Sequence, residues 1–338
     1  MTATTLRPEL VAIGRVLGVA VDELHGLDQL SDDDLSVLHG QIANRLSADK
    51  RRRFARVAAL AQSIPGPIAG RLAEKFLPPA GGALAAELLE PAKARDLVGR
   101  VSLAYLGDLA IALDPVRAQD VVRAIPAVRV GEVAQELFSR KEYAAMARFV
   151  GAVEVDALFA TLGVATPHDL LAVVPLLTWN DNLDRVIAEL PEDQVQQIAA
   201  DLDAGELADL ALALDPHRFG AIVAAVPVST VADIASALLE RGEYAAMAGF
   251  TVVITPEMLC AAIDQASDDH LAGVVAAVVS GDMWVEFDHL VEGLDDRGRD
   301  RLRTVLVASP SDAFSRLRAG DRLGAEAAEL VIAAAASR

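Results

Sequence analysis

Apolar residues recur at spacings of three and four along most of the chain, in blocks of about ten residues parted by short polar or proline-bearing joints. That period predicts helices, and the joint spacing makes them short. Ser31-Asp-Asp-Asp34 stands ahead of Leu35, Val37, Leu38, Ile42 and Leu46. A serine followed by acids is a helix start, because the hydroxyl accepts from free N–H groups and the acids favour the positive end of the helix dipole. This helix is expected to end near Ser47 and a second to begin near Asp49. From about residue 94 the pattern predicts helices over 94–113 (with a break), 117–125, 128–139, 142–150, 154–162, 167–177, 180–190 and 192–202. Proline sits at many joints, as in Asp114-Pro115, Ile125-Pro126, Leu190-Pro191, Asp215-Pro216 and Val226-Pro227. There it can occupy a first helical turn, where its missing N–H costs nothing, and a preceding Asp can cap that turn.

The blocks repeat. Asp108-Leu-Ala-Ile-Ala-Leu-Asp-Pro115 returns 101 residues later as Asp209-Leu-Ala-Leu-Ala-Leu-Asp-Pro216. Glu142-Tyr-Ala-Ala-Met-Ala-Arg-Phe149 returns at the same interval as Glu243-Tyr-Ala-Ala-Met-Ala-Gly-Phe250, and Val121, Val122 and Ile125 return as Ile222, Val223 and Val226. Near Ser280–Met283 the register slips by about three residues, so that Leu190 matches Leu294. Helices this short do not stand alone and gain stability by stacking. The expected fold is therefore all-α: an α-solenoid, or superhelical array of short helical hairpins, with an internal duplication of ~101 residues. The segments expected are 1–62, an N-terminal helical piece; 63–91, a Gly/Pro-rich apolar cap or flap of two or three short helices; 92–190, the first copy; 191–294, the second; and 295–338, a partial third copy with a capping helix.

The net charge of −19 opposes the cationic surface that nucleic acid requires, and it opposes adsorption of the chain as a whole to anionic lipid. Hydrophobic residues reach 53 % with only 4 % aromatic, and mean hydropathy is +0.34. This balance points to Ala, Leu and Val packed between close helices, or to an apolar hollow. Cys260 is alone, so neither an internal disulfide nor a Cys-rich metal site is expected. The N-terminus lacks an apolar signal core and no apolar run reaches the ~18 residues of a membrane span, so a cytoplasmic location is expected.

Three pieces carry a resemblance: Leu190-Pro-Glu-Asp-Gln-Val-Gln-Gln-Ile198, Leu207-Ala-Asp-Leu-Ala-Leu-Ala-Leu-Asp-Pro216 and Val231-Ala-Asp-Ile-Ala-Ser-Ala-Leu-Leu239. Over about residues 95–310 the chain resembles the cytosolic N-terminal domain of the MgtE magnesium transporters and the related part of the FliG flagellar switch proteins. The resemblance implies a superhelix of short helices. The regulatory and membrane parts of the transporter have no counterpart in this sequence, and no ion ligands carry over.

Catalytic patterns are missing. The six histidines form no His-x-x-x-His or His-Glu-x-x-His, and there is no phosphate-binding Gly-rich loop and no Gly-x-Ser-x-Gly. No enzyme activity, cofactor or metal is expected. Candidate binding residues are Trp179 and Trp284, the only tryptophans, near matching places in the two copies. With them stand Tyr143, Met146 and Phe149 and their counterparts Tyr244, Met247 and Phe250, which at spacings of three and six follow one helix side and serve either as core or as groove lining. Arg52 and Arg53, in Lys50-Arg-Arg-Arg53, face either solvent or an acidic partner or lipid headgroup. The expected function is a non-catalytic binding scaffold that holds a protein partner. The alternative is a carrier of an apolar ligand, such as a fatty acyl chain, gated by residues 63–91. Peripheral membrane contact and oligomeric state stay open.

Overall fold

A computed structural model describes residues 7–309, 315–316 and 323–337, and side chains within that range except those of residues 43–53. Among the described residues there are helices and no strand. The chain divides into two compact units, 1–186 and 187–338.

The first unit opens with α1 (Pro8–Leu17), a 3₁₀ segment (Val21–Leu27) and α2 (Asp32–Ser63). The Ser31 side chain accepts from the Asp34 N–H, and three acids occupy the first turn of α2, as the sequence predicts. The helix does not stop near Ser47. It runs unbroken for 32 residues because nothing between Gly40 and Pro65 forces a break, and Ser or Asp within a helix costs only tenths of a kcal/mol. Then come α3 (Gly66–Phe76), α4 (Pro79–Ala86), α5 (Pro91–Val98), α6 (Leu103–Ala112), α7 (Gln119–Arg123), α8 (Ala127–Ser139), α9 (Tyr143–Ala147), α10 (Val155–Leu162), α11 (Pro167–Val173) and α12 (Asp181–Glu189), the last crossing the division.

The second unit continues with α13 (Glu192–Ala200), α14 (Ala204–Leu212), α15 (Pro216–Ala225), α16 (Val228–Glu240), α17 (Tyr244–Phe250), α18 (Pro256–Gln265), α19 (Asp268–Gly281), α20 (Trp284–Gly293), α21 (Asp296–Ala308) and α22 (Ala325–Ala336). Its core is the larger one. Phe287, Leu238, Leu259, Leu302 and Leu306 are fully buried there. Each such side chain contributes roughly 1.5–3 kcal/mol through burial. The first unit has smaller clusters, one around Val122, Val153, Val155 and Leu158 and another around Leu137, Phe138, Met146 and Val173.

Helix starts 101 residues apart are made alike. Ser102 caps α6 and Asp203 caps α14; Thr166 caps α11 and Ser267 caps α19. Helix pairings follow suit: α5 packs on α7 and α13 on α15, α6 on α8 and α14 on α16, α8 on α10 and α16 on α18, α9 on α11 and α17 on α19. Cross-links recur too. Arg140 Nη1 donates to Asp108 Oδ1 at 2.6 Å and Nη2 to the Ala104 carbonyl at 3.2 Å; Arg241 makes the same bonds to Asp209 at 2.6 Å and to Gly205 at 3.0 Å. The two Leu-Asp-Pro joints differ in one respect. Asp215 caps α15 directly, whereas Asp114 receives the N–H groups of Val116 and Arg117 in a turn, and α7 starts later.

Candidate functional site

The tryptophans do not share a setting. Trp179 lies in the link between the 3₁₀ turn Val174–Leu176 and α12; its indole N–H donates to Asp184 Oδ1 at 2.9 Å and the residue is half-buried. Trp284 is the first residue of α20, half-buried against the core of the second unit. Its turn has another kinship. Lys141, Gly242 and Asp282 all take left-handed backbone, with φ of 57°, 75° and 53°. In each case the next N–H closes back on the preceding helix: Glu142 on the Leu137 carbonyl, Glu243 on Leu238 and Met283 on Val278, all at 3.0 Å. An aromatic then opens the following helix: Tyr143, Tyr244 and Trp284. Gly242 adopts this conformation freely, while Lys141 and Asp282 pay about 1 kcal/mol or more for it.

The Tyr/Met/Phe sets are tied to the cores. Met146, Met247 and Phe250 are buried; Phe149, Tyr143 and Tyr244 are half-buried against core clusters. The Tyr143 hydroxyl donates to Asp169 Oδ1 at 2.9 Å, and Tyr244 faces the His270 ring with centroids 6.5 Å apart. Burial and the Asp169 bond push the Tyr143 hydroxyl up from its ordinary range. Burial also acts to raise the Asp169 carboxyl, but the bonds from Thr166 and Tyr143 overcome it and hold the group low. The side chains of Arg52 and Arg53 lie outside the described residues.

Two features escape sequence reading. The first is a buried charged cluster where the N-terminal helices meet the turn after α9. Glu9 of α1 sits between His39 of α2, with Nδ1 2.9 Å from Glu9 Oε2, and Arg148, with Nε 3.6 Å from Oε1. Arg148 Nε has no aligned hydrogen-bond partner, so its attraction to Glu9 is chiefly of charge. The side chain of Arg148 is 8 % exposed. Burial drives its guanidinium down, with Glu9 and Asp114 opposing. Burial pushes the Glu9 carboxyl up, but His39 and Arg148 outweigh it and leave the group below its ordinary value. Around this centre Arg15 pairs with Glu142 at 2.7 Å and Arg117 donates to the Gly40 carbonyl at 2.6 Å. The only sequence signal is that Arg148 stands where the otherwise matching stretch 101 residues on has Gly249.

The second feature is on α3, within the predicted Gly/Pro-rich segment. Its small residues Gly66, Ala69 and Gly70 face inward; a Cβ on Gly66 would collide with Asp96 and one on Gly70 would press on Arg100. Its large apolar residues face out: Ile68, Leu72 and Phe76 are 53 %, 43 % and 69 % exposed.

Among the described residues no three His, Cys, Asp or Glu side chains group as metal ligands. A cavity in the second unit, lined by Leu239, Met247, Thr251 and Leu259 among others, measures roughly 20 Å³. That is room for about one water, where small-molecule sites run to about 300–1,000 Å³. Among the described residues no helix is long and apolar enough to cross a membrane. No known family model matches the chain, and no curated protein matches it.

Proposed function

We propose that the chain is a non-catalytic scaffold, built by tandem duplication of a block of short helical hairpins stacked as a solenoid, that holds a protein partner on its surface. Helix starts, pairings and Arg–Asp cross-links that recur 101 residues apart support the duplication. They also suit the resemblance to the MgtE N-terminal domain. The observation that carries the binding reading is Trp179. A half-buried indole outside the core clusters, held in one orientation by Asp184, loses little side-chain freedom when a partner covers it. Trp284 belongs more to the core.

The test is quantitative affinity capture with the full chain and its Trp179→Ala and Trp284→Ala variants. Trp179→Ala is expected to lose a specific partner at least tenfold while shifting the melting temperature little. Trp284→Ala is expected to cost about 2–4 kcal/mol of stability as a partly buried core aromatic. If Trp179→Ala captures every protein that the parent captures, the scaffold reading at this surface is wrong.

A further inference from the structure

The chain is acidic overall, with net charge −19, yet residues 50–76 hold seven Lys or Arg and a single acid, Glu74. That acid accepts a hydrogen bond from the Ser102 hydroxyl. Arg56 on α2 and Arg71 and Lys75 on α3 are exposed, and the Lys75 ammonium lies 5.4 Å from the centre of the Phe76 ring. The same stretch exposes Val57 and Leu60 on α2, and Ile68, Leu72 and Phe76 at intervals of four on α3. Cations and large apolar side chains thus occur together along residues 50–76, and on α3 they share one face as Ile68, Arg71, Leu72, Lys75 and Phe76, in a chain whose charge is otherwise strongly negative.

The positions that match Leu72 and Phe76 further along the chain are covered. Moving 101 residues on from Leu72 and Phe76 reaches Val173 and Leu177, and again Val274 and Val278. Val173, Val274 and Val278 are buried and Leu177 packs against the core. Helix α9 packs on α11 and α17 on α19. No short helix of that kind precedes α3, because α2 runs straight through the corresponding stretch.

We infer that the outer face of α3 docks on an anionic lipid surface: Ile68, Leu72 and Phe76 enter the interface while Arg71 and Lys75 meet the headgroups. Three observations favour a bilayer over a partner helix. The apolar side chains protrude, where a helix-binding site would be a groove. Phe and Leu flanked by Lys and Arg is the composition of helices that lie in a membrane interface. Each cation near an anionic leaflet adds about 1 kcal/mol, and the acidic remainder is screened beyond about 8 Å at physiological salt. This inference is independent of the Trp179 surface.

The experiment is co-flotation of the full chain with phosphatidylcholine vesicles, with and without about one third phosphatidylserine. Partition onto the anionic vesicles is expected to be at least tenfold greater and to fall with added salt. The double variant Leu72→Ser/Phe76→Ser should lower it about tenfold or more, and Arg71→Gln/Lys75→Gln about tenfold. Both variants should keep the parent circular dichroism, since the altered side chains are exposed. Val128→Ser, at an exposed valine on α8, should change nothing. Equal partition onto neutral and anionic vesicles, absence of binding, or full binding by either double variant would overturn the proposal. So would binding to a glutamate-rich amphipathic peptide in place of vesicles, which would assign the face to a protein partner.

Discussion

The turns at Tyr143–Phe149 and Tyr244–Phe250 share nearly every letter and a common entry, but their exits differ. Both are entered through left-handed backbone and a bond back to the preceding helix. At the exit, α9 closes at Ala147 and Arg148 turns into the Glu9–His39 cluster, while α17 runs on through Gly249 to Phe250. The better helix former leaves the helix and the poorer one stays in it, so tertiary contact decides where these helices end. Next to Gly249 lie Pro216 and Met283, both of the second unit. Two nearly identical stretches thus serve two ends: Tyr244–Phe250 closes an apolar core, and Tyr143–Phe149 holds the N-terminal helices through a buried ion pair.

The largest effect expected is at the apolar exit. Phe250→Ala should cost about 3–5 kcal/mol, as for a buried aromatic, and Phe149→Ala distinctly less because Phe149 is only half-buried; chemical denaturation measures both. Equal costs would erase the distinction between the two exits. Next comes Arg148→Gly, which rewrites the first turn as the second. It leaves Glu9 without its arginine, a loss of about 3 kcal/mol for a buried pair, and should expose α1 to limited proteolysis. Proteolysis unchanged from the parent would mean that α1 is held by its apolar contacts alone. The smallest effects belong to the repeated cross-links. Arg241 and Asp209 are well exposed, so Arg241→Ala should cost under about 1 kcal/mol. Arg140 also grips Glu136, so Arg140→Ala should cost somewhat more; the order of the two melting temperatures checks this.

Much of the fold was legible because its signals are local. The start of α2 follows from Ser31 as a side-chain cap, and apolar spacing located α8, α10 and α13 within a residue or two. The unbroken α2 was not legible, since Ser47 and Asp49 carry the chemistry of a cap whether or not the chain uses it. The Glu9–His39–Arg148 cluster was invisible because 139 positions separate its ends and single charges carry no period. The outward face of α3 was hidden for another reason: spacing tells which residues share a face, but it does not tell whether that face is covered.

The division between the two exits is tested most directly by amide hydrogen exchange, corrected for intrinsic rates, at pH 7 and near pH 4. The native-state value for Glu9 lies below its unfolded one, so its contribution is complete above the unfolded value of about 4.5 and fades as pH falls through the native one. Protection in Pro8–Leu17 and Tyr143–Ala147 should therefore drop toward pH 4, while that in Tyr244–Phe250, which has no buried charge at its exit, should hold. Equal loss in the two turns, or no loss in α1, would contradict the account.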